Sequence, residues 1–468
     1  IALGEFSKLI KNQKINFNDK YHFSYLTEIL QINEFDECDY CDDEYHYVLG
    51  FLSGYSLTLD CLEHIKICIK NNANVNVKDN NGKTPLMLAI KYLNDTSSFE
   101  TIKQLLENGA DVNVKDNNSD VALTFALRNK NGIAPLKIVK LLLEYGADIH
   151  IKTKYNYTLV MLAIKNLCKL EIIQFLLDSG VNVNWKDKSD RNALMFAAIF
   201  LNEINSFKTI KLLLENGADV NAKNNYNDTI LMFVAKYTKY SNNANSLSTF
   251  KLLLENGVDI NAKNNYNETA LIYVANYPNS ENALNKANQL LKNNVDIHVK
   301  NNDGDTALTI IAKYANSEFA FKMIELLLEH GVDVNTKNNN GWTALIIACR
   351  RSNYTSSLKI IQLLLKNGAD VNVKDYYLWT ALMFAAKYSN DTNSLETVKL
   401  LLENGADINA TNNHHSSALV IAMRCLNNTS SFKIVKLLLS QKNIHVCNKF
   451  LKTCSKHKSS LAVSYTHL

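Results

Sequence analysis

The chain repeats one pattern of about 37 residues, and this periodicity constrains its fold more than any other feature. Ten copies align on a residue, usually threonine, that precedes an apolar run. These aligned cap positions are Thr84, Val121, Thr158, Asn192, Thr229, Thr269, Thr306, Thr343, Thr380 and Ser417. Their spacings are 37, 37, 34, 37, 40, 37, 37, 37 and 37 residues. Such a period indicates a solenoid, in which each repeat packs against its neighbours.

Each copy predicts two short helices, followed by a polar loop that leads to the next copy. The apolar run Leu326–Leu328 ends one helix, and Gly331 follows where a helix end often needs a left-handed residue. Turn-forming residues 338–341 come next, and Thr343 stands at the N-cap of the following apolar run. We call this loop between helix pairs a finger. Helices of about ten residues are unstable alone in water, so the copies are expected to fold only as a stack.

Two further signals concern the start and the end of the second helix. Within a copy, Ser97 followed by Glu100 predicts a capping box at the start of the second helix. At the end of the second helix, asparagine replaces glycine at Asn72 and Asn294, although it adopts the left-handed conformation less readily. The copy that ends at Asn294 also contains Pro278. We therefore predict that the weakest internal repeat includes residues 276–296.

The segments Gly82–Ala89 (GKTPLMLA) and Asn108–Asn113 (NGADVN) resemble the ankyrin repeat. The resemblance covers roughly residues 47–446, and ten registered copies make it specific. It implies an all-α solenoid of about eleven repeats with short β-turn or hairpin fingers between them. The family's signature histidine is replaced by residues such as Met87. The asparagine- and lysine-rich style resembles ankyrin arrays of large DNA viruses and AT-rich microbes, and we attribute the bias to AT-rich coding.

The register divides the chain into three parts. Residues 1–46 diverge from the pattern, and we expect them to form a cap that shields the first repeat, with a separate functional module as the alternative. Residues 47–446 hold the repeat array, in which 47–69 is a degraded copy. Residues 447–468 leave the register and are predicted to form an irregular tail without function.

Composition narrows the possible classes of function. The formal net charge of +4 over 468 residues gives no strong case for a nucleic-acid or membrane partner. No apolar run reaches the roughly 18 residues that a membrane span needs. Nine scattered cysteines do not form a disulfide framework, so a reducing compartment fits best. Cys38 and Cys41 form half of a zinc-binding pattern, but no second pair stands at zinc-finger spacing.

No combination of residues predicts catalysis. Asp111, Asp148 and Asp219 occupy one fixed position of the repeat, so we interpret this aspartate as a folding residue. The sequence has no P-loop, no HExxH motif and no GxSxG motif. We therefore predict that the protein is not an enzyme and that it binds no metal and no cofactor.

Aromatic residues concentrate on the fingers of two late repeats, 337–342 and 374–379. Exposed aromatic side chains are typical anchors of protein interfaces. The alternative is that the tryptophans pack on neighbouring fingers, and that the lysine beginning nine of ten fingers is structural. The candidate partner-binding residues are Trp342, Tyr376, Tyr377, Trp379, His414, His415, Lys337 and Lys374.

The resemblance implies a non-catalytic scaffold or adaptor that binds a protein partner on the concave face of fingers and first helices. A second hypothesis is a targeting subunit of an enzyme or ubiquitin-ligase assembly whose catalytic or recruiting part lies outside this sequence. A third is nucleic-acid binding by the lysines that begin nine of the ten fingers, which we call the lysine column. The small net charge disfavours this hypothesis. We expect an intracellular monomer in the cytoplasm, with a host cell as one alternative.

Overall fold

The computed structural model describes residues 66, 69, 74–92, 96–129, 135–200, 205–236, 244–314, 316–351, 355–388, 392–425 and 429–441. The expected N-terminal cap at 1–46 and the expected tail at 447–468 lie outside these residues, as does nearly all of the degraded copy at 47–69. The described part of the chain contains helices and turns, and no strand. The predicted all-α repeat fold is therefore confirmed, with β-turn fingers between the helix pairs.

Internal contacts divide the chain into two compact units, Ile1–Asn225 and Tyr226–Leu468. The described part of the first unit has four helix pairs. These helices are α1 (Pro85–Lys91), α2 (Thr96–Glu107), α3 (Ala122–Arg128), α4 (Pro135–Glu144), α5 (Leu159–Lys165), α6 (Leu170–Asp178), α7 (Ala193–Ile199) and α8 (Ser206–Glu215). Each first helix packs on its own second helix, and α1, α3 and α5 also pack on the first helix of the next repeat.

The described part of the second unit has six helix pairs with the same packing. These are α9 (Ile230–Lys236), α10 (Ala244–Glu255), α11 (Ala270–Ala275), α12 (Glu281–Lys292), α13 (Ala307–Ala312), α14 (Glu318–Glu329), α15 (Ala344–Cys349), α16 (Thr355–Lys366), α17 (Ala381–Lys387), α18 (Thr392–Glu403), α19 (Ala418–Arg424) and α20 (Thr429–Leu439). Second helices also pack on the second helices of adjacent repeats. Within each unit, the stack therefore has one layer of first helices and one of second helices.

The first helices begin at the predicted caps. The Oγ1 atom of Thr343 accepts the backbone N–H of Ile346 at 3.4 Å, and the residue before α15 is extended. This bond satisfies one of the N–H groups that a helix start leaves without a partner. Side chains at seven other cap positions accept the equivalent N–H: Thr84, Thr158, Asn192, Thr269, Thr306, Thr380 and Ser417.

The two layers bury different amounts of their surface. Every residue of α15 is buried, and its sequence ALIIAC is apolar on all sides because neighbouring first helices flank it. In α14, Leu327 is buried whereas Leu326 and Leu328 are only half-buried. The second helices are therefore amphipathic, and they stabilise the stack through one face.

The ends of the second helices agree with the prediction, but one start does not. Gly331 has φ +78° and Asn294 has φ +56°, so both positions are left-handed. The helix α2 begins at Thr96, which makes Ser97 a helical residue. The prediction that Ser97 is the N-cap is therefore wrong: the helix starts earlier, because threonine and serine also tolerate a first helical turn.

Candidate functional site

A side chain inside each finger holds its tip in one conformation. In the finger 374–379, Asp375 is buried and its Oδ1 accepts the backbone N–H groups of Tyr377 and Trp379 at 2.9 and 2.8 Å. Aspartate and asparagine commonly stabilise turns in this way. The same pair of bonds is made by Asp79, Asp116, Asp187, Asn264, Asn301, Asn338 and Asn412. The fingers are therefore ordered turns, and side chains on their tips are presented on a fixed backbone.

Neighbouring fingers are joined by hydrogen bonds. Lys337 Nζ donates to the carbonyl of Lys374 at 3.3 Å, as Lys78, Lys186 and Lys300 do toward their next finger. The carbonyl of Tyr377 accepts the N–H of Asn413 at 3.1 Å. The lysine column therefore connects repeats, which supports the structural interpretation of this column for Lys337.

Trp342 packs against the following repeat. Its indole Nε1 donates to Asp375 Oδ2 at 3.0 Å, and the guanidinium of Arg350 lies 4.0 Å from its ring centroid. The ring also meets Phe384 edge-on, with centroids 6.4 Å apart. Trp342 is half-buried by these contacts. Its geometry favours a role in bracing two adjacent repeats.

Trp379 packs within its own repeat. Its ring centroid lies 4.9 Å from that of Phe384 on α17, at an interplanar angle of 33°. The Lys387 ammonium lies 5.2 Å from the Trp379 centroid. Trp379 is half-buried, so one part of the ring supports the finger and the rest remains accessible.

The tip of the same finger is far more exposed. Tyr376 and Tyr377 are 69% and 68% exposed, the highest values among the large hydrophobic side chains of the described residues. Leu378 is 43% exposed and has φ +61°. A left-handed conformation costs a residue with a Cβ roughly 1–2 kcal/mol, and the corresponding residue in the preceding finger is Gly341. The equivalent residues of other fingers, such as Asn227 and Asn267, are also left-handed, so this conformation belongs to the finger turn.

His414 and His415 lie on the next finger. Both side chains are exposed, and His415 has φ +54°. The N–H of His414 donates to Asn412 Oδ1 at 2.9 Å, so the histidines are also held on an ordered turn. Together with the exposed Lys374, they flank the tyrosine tip.

The described residues give little support for chemistry at these fingers. No group of three or more His, Cys, Asp or Glu side chains among them could hold a metal ion. The thiol of Cys349 is fully buried, and burial raises its pKa, which makes it a poor nucleophile. None of the helices that the structure describes combines the length and the hydropathy of a membrane span.

A repeated asparagine has a structural role that the sequence pattern did not reveal. Asn335 donates through Nδ2 to the carbonyl of Gly368 at 3.0 Å, and its Oδ1 accepts the N–H of Asp370 at 2.7 Å. Both partners belong to the next repeat. The same two bonds are formed by Asn76, Asn113, Asn184 and Asn372. The asparagine recurs at one position when the copies are aligned, and this recurrence identifies these residues, whereas the overall composition does not.

Comparison with known families agrees with this architecture. A family model described as "Ankyrin repeats (3 copies)" matches residues 37–116, 123–224, 202–285, 279–375 and 358–449. A second, "Ankyrin repeats (many copies)", matches residues 95–143. A search of curated proteins returned no match. Since the matched segments span most of the sequence and the helix pairs follow the same register, the chain belongs to the ankyrin-repeat family.

Proposed function

We propose that this protein is a non-catalytic scaffold that binds a protein partner through its fingers and first helices. Ankyrin repeats generally mediate protein–protein interaction, and the repeat matches extend over most of the chain. We assign the partner contact to the finger 374–379 and its neighbours on either side.

The observation that carries this assignment is the exposed tyrosine pair on an ordered turn. Tyr376 and Tyr377 are more than two-thirds exposed, whereas Asp375 fixes the backbone that bears them. Presenting large rings on an ordered backbone lowers the entropy lost on binding. Tyrosine and tryptophan are also enriched among the residues that contribute most to protein interfaces.

The remaining candidate residues fall into two groups by their contacts. Trp342 and Trp379 support the finger and border the contact surface, so their replacement is expected to lower stability as well as binding. Lys374, His414 and His415 are exposed beside the tip and would set the rate and salt dependence of association. Lys337 is expected to act through the finger-to-finger bond that it donates.

The test compares two tyrosines at the same finger position. Tyr377 and Tyr266 each stand three residues before a cap, with exposures of 68% and 52%. The wild-type chain would be used to capture a partner, and the affinity of each alanine variant for that partner would then be measured. Tyr377→Ala is expected to cost 2 kcal/mol or more, roughly thirtyfold in affinity, because interface anchors have effects of this size.

Tyr266→Ala serves as the matched control, and it is expected to leave affinity within about twofold. Melting temperatures of both variants should equal that of the wild type, since neither ring is buried. Equal effects of the two substitutions on affinity would contradict the assignment of the site to the late fingers.

The cellular setting that we propose is the cytoplasm. Cys349 and Cys425 are thiols in the structure rather than disulfides, as is usual in a reducing compartment.

A further inference from the structure

A basic residue recurs near the end of the first helix and contacts the residue just before the cap, eight positions earlier. In three repeats that earlier residue is an aspartate, Asp120, Asp228 or Asp305, and in two of these the basic side chain contacts the carboxylate. Arg128 Nη2 donates to Asp120 Oδ1 at 2.8 Å, and Lys313 Nζ donates to Asp305 Oδ2 at 2.6 Å. In these repeats the protein itself neutralises the cation.

The last three described repeats lack this aspartate and retain the cation. Trp342 lies under Arg350 and Trp379 lies near Lys387, at 4.0 and 5.2 Å from ring centroid to cation. In the third repeat, Arg424 Nη1 donates to Ser416 Oγ at 3.2 Å. Arg350, Lys387 and Arg424 form no ion pair among the described residues. We call these three residues the basic row.

Among the residues of the three late fingers 337–342, 374–379 and 411–416, all of which the structure describes, Asp375 is the one carboxylate, and its oxygens already accept hydrogen bonds. Asp375 is 5% exposed, and its Oδ1 accepts two backbone N–H groups of its own finger. Its Oδ2 accepts the indole N–H of Trp342. Asp375 therefore stabilises the finger turn and does not neutralise the cations of the basic row, which remain available to external anions.

The geometry of the row follows from the stack. The helices α15, α17 and α19 pack on one another in sequence, and packed helices lie about 8–10 Å apart. The three cations therefore repeat at roughly that spacing. The favourable helix dipole explains why a cation stands at the end of most first helices. It does not explain why the countercharge is absent in three consecutive repeats.

We propose that the basic row binds an extended acidic segment of the protein partner, with carboxylates three residues apart. An extended chain advances about 3.3–3.6 Å per residue, so three residues match the spacing between repeats. The Trp342 ring fixes the plane of the Arg350 guanidinium, whose N–H edges suit a carboxylate. This inference rests on the proposed function and specifies the chemistry of the partner at that site.

Two labelled peptides of serine and glutamate test the proposal by fluorescence anisotropy. In the first, every third residue is glutamate; in the second, the same number of glutamates is consecutive. The wild-type chain is expected to bind the spaced peptide more tightly. The double variant Lys387→Glu, Arg424→Glu should weaken this binding about tenfold, since each exposed ion pair contributes up to about fivefold and reversal adds repulsion. Both side chains are exposed, so folding should be retained.

The matched control is Lys103→Glu, Lys211→Glu, which makes the same change in net charge on exposed second-helix residues. It should leave the affinity within about twofold. A third variant, Ser416→Asp, recreates the Asp120–Arg128 arrangement and should weaken binding by neutralising Arg424 internally.

Several results would overturn the proposal. These are failure of the folded wild type to bind the spaced peptide, equal losses in the two double variants, and tighter binding of a single-stranded oligonucleotide with a steep salt dependence. The proposed function is tested separately by partner capture. If the captured partner depends on Tyr377 but binds the Lys387→Glu, Arg424→Glu variant normally, the scaffold proposal survives and the basic row is refuted.

Discussion

Replacing the buried Lys286 by methionine is expected to stabilise the protein at neutral pH. Lys286 lies on α12 with no exposed surface, and its Nζ donates to Val234 O at 2.9 Å and to Ser246 Oγ at 2.6 Å. The ring of Phe250 lies 5.6 Å from the ammonium. Burial without a neighbouring carboxylate lowers the pKa of Lys286 to about 7.

The magnitude follows from the pKa and from the two hydrogen bonds. A fall from 10.5 to about 7 corresponds to about 4–5 kcal/mol of destabilisation at pH 7, at 1.36 kcal/mol per unit. Methionine removes this cost but deprives the Val234 carbonyl, at the end of α9, of a donor, which costs about 1–3 kcal/mol. Met323, buried at the same position of the next repeat, shows that the side chain fits. A net gain of about 2–3 kcal/mol is therefore expected.

The pH dependence has a defined sign. The folded-state pKa of Lys286 is depressed, so between pH 7 and 10.5 the unfolded chain binds the proton that the folded chain has lost. The stability of the wild type therefore rises with pH in this window, by up to about 1.4 kcal/mol per unit from this group. The advantage of the methionine variant should shrink by about 2–3 kcal/mol from pH 7 to pH 9 and should be constant below pH 7.

Urea unfolding of both proteins at several pH values, with hydrogen exchange of residues 281–292, measures this difference. The control is Thr397→Ile: Thr397 occupies the same repeat position, and its buried hydroxyl has no hydrogen-bond partner in the described structure. Ile360 already fills this position one repeat earlier. The control should stabilise modestly at every pH. If Lys286→Met destabilises at pH 7, or if its effect does not change with pH, the reasoning about buried charge is refuted.

Three further substitutions test the stack. Gly341→Ala should lower the melting temperature more than Gly331→Ala. The two glycines have nearly equal φ, +76° and +78°, but only a Cβ at Gly341 would lie 3.0 Å from the backbone of the next finger. Equal losses in melting temperature would contradict this reasoning. Asn335→Ala should lower the free energy of unfolding in urea by about 1–3 kcal/mol because it removes two hydrogen bonds between repeats, and a neutral effect would reject that role. Asn294→Gly should stabilise and slow hydrogen exchange in residues 276–296, where wild-type exchange should be fastest among the internal repeats; uniform protection would reject the weak-repeat prediction.

Most of the fold could be predicted because its signals are local. A cap residue, an apolar run and a stop residue occur within each copy, so the register alone places α15 after Thr343 and the end of α14 before Gly331. The start of α2 was misplaced by the capping-box pattern at Ser97 because several adjacent residues could begin that helix.

Contacts between copies were not predictable from a single copy. The Asn335 bridge joins atoms 33 and 35 residues apart in the chain, and Lys286 reaches Val234 across 52 residues. Each becomes visible only when equivalent positions are compared through the stack. Lys286 then stands out, because the aligned positions of the described repeats hold residues such as Thr397, Ile360 or methionine.

The aromatic fingers show the same division between local and non-local information. The sequence placed Trp342, Tyr376, Tyr377 and Trp379 on adjacent fingers, which is correct. It could not separate the half-buried tryptophans from the exposed tyrosines, because burial depends on Phe384 of a first helix. Exposure therefore narrows the candidate contact surface to the fingertip and its flanks.

The residue just before the cap affects both the packing between adjacent repeats and the pairing of the cation at the end of the first helix. The residue before the cap is Asp305 in one repeat and Trp342 in the next. An aspartate there neutralises Lys313, whereas a tryptophan packs on the following repeat, and Arg350 then forms no ion pair with any carboxylate that the structure describes. A single aspartate-to-tryptophan exchange would therefore add apolar contact between repeats and expose a cation to an external anion. Since stacking on a ring also restricts the cation, the exchange creates an ordered basic site.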